Sequence, residues 1–216
     1  MKKVAVILSG AGYLDGSEIH EATLTLLALD RHNAQVHCFA PDIAQEQVLN
    51  HATGEPSTET RSVLAESARI ARGAIKPLSL AAVDDFDALI IPGGYGAARN
   101  LCNFATRGHE MTINPEVEIF ARSLHREGKP VGLICIAPVM APAIGGPGTR
   151  CTIGNDPATA NAINAMGGIH VSCAVTECVI DKDRKIVSTP AYMLADRITQ
   201  AEAGINKLVD AVLAMA

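Results

Sequence analysis

Short apolar runs that stop at glycine or proline constrain this chain more than any other feature. Residues 4–8 stop at Ser9-Gly10, residues 35–40 stop at Pro41, residues 88–91 stop at Pro92-Gly93-Gly94, and residues 131–134 lead into Cys135. Runs of this length without polar alternation are expected of strands buried on both faces, which is the habit of parallel sheets. Helical spacing fills the gaps between them. Ile19, Ala22, Leu26 and Leu29 share one face of a helix expected over residues 18–29, with acids in its first turn where the dipole favours them. Residues 117–125 read as helix, and Ile198, Ala201, Ile205, Leu208, Val209 and Val212 stripe a final helix on one side. Alternation of this kind predicts a doubly wound α/β sheet.

Further along, residues 157–166 read as helix and residues 169–171, 178–180 and 185–188 as strands. The last two are joined by a charged hairpin, Asp181-Lys182-Asp183-Arg184, so the sheet is expected to end mixed. Residues 42–83 exceed a short crossover and read as an elaboration, with a polar stretch at 51–60 before a helix at 61–72. The whole of residues 1–216 is expected to be one domain: 216 residues, 48% of them hydrophobic, suffice for a single core. A net charge of −5 with scattered rather than clustered bases excludes a nucleic-acid partner. The uncharged run from Val131 to Gly148 has the length of a membrane span, but Pro138, Pro142 and Pro147 interrupt it at about 3 kcal/mol each, so no membrane partner is expected. After Met1-Lys2-Lys3 the first apolar run falls short of a secretory core, and six cysteines form no dense disulfide framework. These features together predict a cytoplasmic protein.

Chemistry concentrates at Gly132-Leu133-Ile134-Cys135-Ile136-Ala137-Pro138. A cysteine at a tight strand-to-helix junction stands on an elbow at the carboxyl edge of the sheet, where α/β proteins bind ligands. A following helix N-terminus is expected to draw its pKa from about 8.5 toward about 7, so full ionisation needs a further donor. The glycines of Pro92-Gly93-Gly94-Tyr95-Gly96 follow a buried strand, and the amides of Gly93 and Gly94 together with that of Ile136 are the expected oxyanion hole. Gly10-Ala11-Gly12-Tyr13-Leu14-Asp15-Gly16 invites a dinucleotide reading with Asp42 as ribose acid, but its third glycine comes one residue late. No cofactor is expected. Cys173 and Cys178 lack a second ligand pair, which argues against zinc and leaves no metal site. Glu18 and Glu21 share a face at the start of the first helix.

Three segments taken together, Gly16-Ser17-Glu18-Ile19-His20-Glu21, Pro92-Gly93-Gly94-Tyr95-Gly96 and Ile134-Cys135, resemble the PfpI-like branch of the class I glutamine amidotransferase-like superfamily, and within it the ElbB-type family. Cys38-Phe39-Ala40-Pro41-Asp42, Thr152-Ile153-Gly154 and Thr189-Pro190-Ala191-Tyr192-Met193-Leu194 carry the same resemblance, which spans nearly the whole chain. It implies a flavodoxin-like three-layer α/β/α sandwich with a mostly parallel sheet, a homodimer, Cys135 as nucleophile and Glu21 as the pocket acid. It further implies glyoxalase activity on a small dicarbonyl substrate without added thiol or metal, and a link by name to isoprenoid biosynthesis. Where many such relatives carry histidine directly after the cysteine, this chain has Ile136. A redox or electrophile sensor or a protein deglycase using the same cysteine is the alternative reading.

Overall fold

The computed structural model describes residues 1–216. In chain order the elements are β1 (Lys3–Ile7), α1 (Ile19–Arg31), β2 (Gln35–Ala40), α2 (Val63–Ile70), β3 (Ile75–Pro77) and β4 (Ala88–Ile91). There follow α3 (Tyr95–Arg99), α4 (Phe104–Arg107), α5 (Pro115–Arg126), β5 (Val131–Ile134), α6 (Ala141–Gly145) and β6 (Arg150–Cys151). The chain ends with α7 (Pro157–Ala165), β7 (Ile169–His170), β8 (Val179–Asp181), β9 (Ile186–Thr189) and α8 (Ile198–Met215).

Seven strands form one sheet in the order β3-β2-β1-β4-β5-β9-β8. Every neighbouring pair is parallel except β8 against β9, so the sheet ends mixed as expected. Strand alternation divides the interior into two layers. Ala5, Ile7, Leu89, Ile91 and Leu133 face one core with Val117, Phe120, Ala121 and Leu124 of α5. Val4, Val6, Ile90 and Ile134 face the other with Ala22 and Leu29 of α1 and Ile205, Leu208, Val209 and Val212 of α8. This is the expected α/β/α sandwich with a mostly parallel sheet. The run from Val131 to Gly148 resolves into β5, a 3-10 turn (Ala137–Met140) and α6, and no helix is long and apolar enough to cross a membrane.

The elaboration over residues 42–83 holds α2 and also supplies the edge strand β3, which its sequence does not announce. Ile75-Lys76-Pro77 is short and carries a proline, which only an edge tolerates. The same segment closes over the loop after β1. Asp15 is 3% exposed and accepts from the Leu49 amide at 2.7 Å, and Gly10 N–H donates to Ser67 Oγ at 2.8 Å. In that loop the Gly12, Gly16 and Ser17 amides are bonded to Ser17, Gly12 and Gly10 carbonyls. Those three donors are spent inside the loop rather than turned outward to a phosphate.

Strand order reverses between β1 and β4, so the crevice beyond their carboxyl ends is the topological switch point. Glu21, Gly93 and Cys135 follow β1, β4 and β5 at this edge.

Candidate active site

Cys135 leaves β5 with its amide still bonded to Thr189 O at 2.9 Å, and then turns with φ +63°. A non-glycine residue in the left-handed region stores of order 1–3 kcal/mol of strain. The surrounding strands hold it there, and the turn aims the thiol out of the sheet. Gly93 explains how the neighbouring loop can come so close. The register Leu89↔Val131, Ile90↔Gly132, Ile91↔Leu133, continued two residues, brings Gly93 level with Cys135. A Cβ at Gly93 would stand 2.4 Å from Cys135 Cβ and 2.8 Å from Glu21 Oε2, so only glycine fits.

Glu21 sits on the inner face of α1, one turn after the capping residue Glu18, whose carboxylate accepts from the Glu21 amide at 2.7 Å. Its side chain is fully buried. Oε2 accepts from Gly93 N–H at 3.0 Å, Oε1 accepts from Tyr192 N–H at 3.1 Å, and the carboxyl lies beside the Cys135 side chain, both packed against Gly93. Burial, reinforced by the charge of Glu18, pushes the Glu21 pKa up to about 8. The carboxyl is therefore mostly neutral at pH 7 and able to donate, as a partner for a sulfur anion must be.

Two sequence expectations change at this point. The Cys135 thiol is not drawn toward 7: burial and then the Glu21 charge push it well above its ordinary value, while hydrogen bonds from the Gly94 and Ile136 amides act the other way. The physical reason is the element behind it. A four-residue 3-10 turn and the five-residue α6 provide little aligned dipole, so desolvation outweighs it. The second change concerns Gly93, whose amide is engaged with Glu21 rather than turned to the sulfur. Of the three expected oxyanion donors, Gly93 holds the acid, which leaves the Gly94 and Ile136 amides as those that favour charge on the sulfur.

A cleft of about 580 Å³ opens over the sulfur, with Tyr13, Glu18, Tyr95, Arg99, Phe104, Asp156 and Tyr192 among its walls. Tyr192 lies on a 3-10 turn (Ala191–Met193) just after β9, behind Ala191 at φ +42°, and its hydroxyl is 2.8 Å from His20 Nδ1. Sequence reasoning assigned it no role. Its segment, Thr189 to Leu194, stood out only through the family resemblance, and the pairing of β9 beside β5 is what brings it to Cys135. The other cysteines are elsewhere. Burial pushes Cys38 and Cys102 up to about 11 and Cys151 to about 12, as befits inert core thiols. No three His, Cys, Asp or Glu side chains gather in a metal-ligating group.

No family model matches the chain. It is 44% identical over 221 residues to the ES1 protein homolog, mitochondrial, of Rattus norvegicus, covering 98% of this chain and 83% of that one. It is 43% identical, over 98% of this chain and 82% of the relative, to the human glutamine amidotransferase-like class 1 domain-containing protein 3, mitochondrial. The crystal structure of an isoprenoid biosynthesis protein with amidotransferase-like domain from Ehrlichia chaffeensis superposes with a TM-score of 0.93 at 38% identity, over 100% of this chain and 99% of that one. The expectation of a cytoplasmic protein is overturned by the two curated relatives, both of which are mitochondrial. Unpaired cysteines and a mild charge read alike in every reducing compartment and so carry no address. Addresses are carried by targeting segments, not by the folded domain.

Proposed function

The chain belongs to the ES1 family of glutamine amidotransferase-like class 1 proteins, and from that premise we propose that it is a cofactor-independent glyoxalase converting glyoxal to glycolate on Cys135. The observation that carries this reading is the burial of Cys135 and Glu21 side by side against Gly93, whose amide holds the Glu21 carboxyl at 3.0 Å, at the floor of the cleft. The Glu21 carboxyl releases its proton before the more strongly raised thiol, so the form in which sulfur holds the charge and the carboxyl holds the proton is the minor, reactive one, and the Gly94 and Ile136 amides act in its favour.

From that form the sulfur adds to one aldehyde carbon, C1. The oxyanion that develops is stabilised by the two amides and takes the Glu21 proton, leaving a hemithioacetal and a Glu21 carboxylate. The carboxylate removes the C1 hydrogen as an enediol forms, and returns it to C2 to give a thioester of glycolate. Water then attacks the thioester, Glu21 takes its proton, glycolic acid departs and the sulfur leaves as thiolate, which restores the starting pair. Hydrogen moves from C1 to C2, so C1 is oxidised and C2 reduced with no outside electron carrier.

A glyoxal time course followed by NMR is the test. Saturable formation of glycolate that disappears in Cys135→Ser is the expected result. Absence of glycolate at high enzyme concentration, with stoichiometric sulfenylation of Cys135 under mild peroxide, would overturn the glyoxalase and favour a sensor built on the same thiol.

A further inference from the structure

We propose that Tyr192, oriented by His20, is the second proton-transfer group of the site and serves the substrate oxygens while Glu21 serves the carbons; this rests on the glyoxalase reading. The isomerisation itself demands such a group. As Glu21 takes the C1 hydrogen, the C2 oxygen must gain a proton; as Glu21 delivers hydrogen to C2, the C1 hydroxyl must lose one. One carboxyl that is occupied with the carbon hydrogen cannot do both in the same step.

The cleft holds few candidates, and most are committed. Glu18 caps α1 through the Glu21 amide at 2.7 Å. Asp156 caps α7 and accepts from Thr159 N–H at 2.8 Å and Thr159 Oγ1 at 2.7 Å. Arg99 is paired with Glu46 at 2.9 Å. Tyr13 and Tyr95 are each 51% exposed, and neither backbone is tied to the acid. Tyr192 differs on both counts. Its amide is bonded to Glu21 Oε1 at 3.1 Å, so the phenol is carried on the same rigid turn that holds the acid. Its hydroxyl has a histidine at 2.8 Å.

With the ring proton on Nδ1, His20 donates to the phenol oxygen and leaves the phenol hydrogen free for the substrate. Tyr192 gives that hydrogen to the C2 oxygen as the enediol forms, and its phenolate, held by the His20 donor, takes the C1 hydroxyl proton as the thioester forms. Protons balance over the two steps, and Glu21 and Tyr192 both return to their starting states. Partial burial and the charges of Glu18 and Glu21 raise the phenol pKa, which keeps it loaded with its proton between turnovers. His20 is exposed and lies behind the phenol, so it acts through Tyr192 as a positioning residue.

The experiment compares wild type, Cys135→Ser, Tyr192→Phe, His20→Ala and His20→Gln on glyoxal, with the rate of Cys135 alkylation by iodoacetamide as a second readout. Tyr192→Phe keeps the ring and the amide bond to Glu21, so alkylation should be unchanged and KM within about threefold, while kcat falls by about 100-fold. His20→Ala should lower kcat by about tenfold, and His20→Gln, which keeps a donor, should recover part of that loss. Wild-type turnover that vanishes in Cys135→Ser but persists at full rate in Tyr192→Phe would overturn the tyrosine's role and leave the glyoxalase standing. Equal losses in His20→Ala and His20→Gln would overturn the histidine's. No wild-type turnover at all would take down both readings.

Discussion

A cysteine that is 7% exposed and strained at φ +63° is an unusual nucleophile, and its behaviour is decided by its neighbour. In the wild type, the Cys135 thiol is held up by burial and by the charge Glu21 gains above about pH 8. Glu21→Gln removes that charge and keeps a polar partner, so the midpoint of Cys135 alkylation against pH should move down, while glyoxal turnover falls by about 100-fold or more for want of a proton relay. An alkylation midpoint that stays in place would show that the carboxylate does not oppose the thiolate. Cys135 was readable as a site because an apolar strand run ended on it before a proline. Glu21 was not readable from spacing, since it shares its first turn with Glu18 and only packing tells the fully buried acid from the cap.

Among the elements, the β4 loop and α8 show two ways in which packing controls the site. Gly93→Ala would set a methyl 2.4 Å from Cys135 Cβ and 2.8 Å from both Glu21 Oε2 and Ile134 O. The mutant should lose about 1–3 kcal/mol in urea unfolding and lose Cys135 alkylation specificity along with activity. Leu208 on α8 is fully buried against β5 and away from the cleft, so Leu208→Ala should cost about 2–5 kcal/mol and leave KM for glyoxal unchanged. A shifted KM in Leu208→Ala would mean that α8 shapes the site beyond holding the sheet. The major strands and helices were legible because their periodicities are clean. β7 was legible at residues 169–171, but β3 and β6 were not, because strands of two or three residues carry no periodicity and form only where neighbours offer an edge.

At the scale of the molecule, a raised acid in the core makes stability depend on pH. The folded state holds the Glu21 proton up to about pH 8, while the unfolded chain releases it near 4.5. Its contribution is therefore fully present below pH 4.5 and is lost as pH rises to about 8, at no more than about 1.4 kcal/mol per pH unit. Chemical unfolding from pH 5 to pH 8 should show this decline in the wild type and a flatter profile in Glu21→Gln; parallel profiles would mean the carboxyl is charged when folded. The sequence by itself determined the α/β sandwich and the elbow at Cys135, because strand runs, helix spacing and glycine stops are local and repeat in register with the backbone. The family resemblance alone pointed to Glu21 as the pocket acid; the tertiary structure decided that it is buried beside Cys135, that Gly93 serves the acid, that burial outweighs the helix dipole, and that Tyr192 and His20 stand at the same cleft. Those are matters of distance and desolvation between residues far apart in the chain, and they exist only once the strands are side by side.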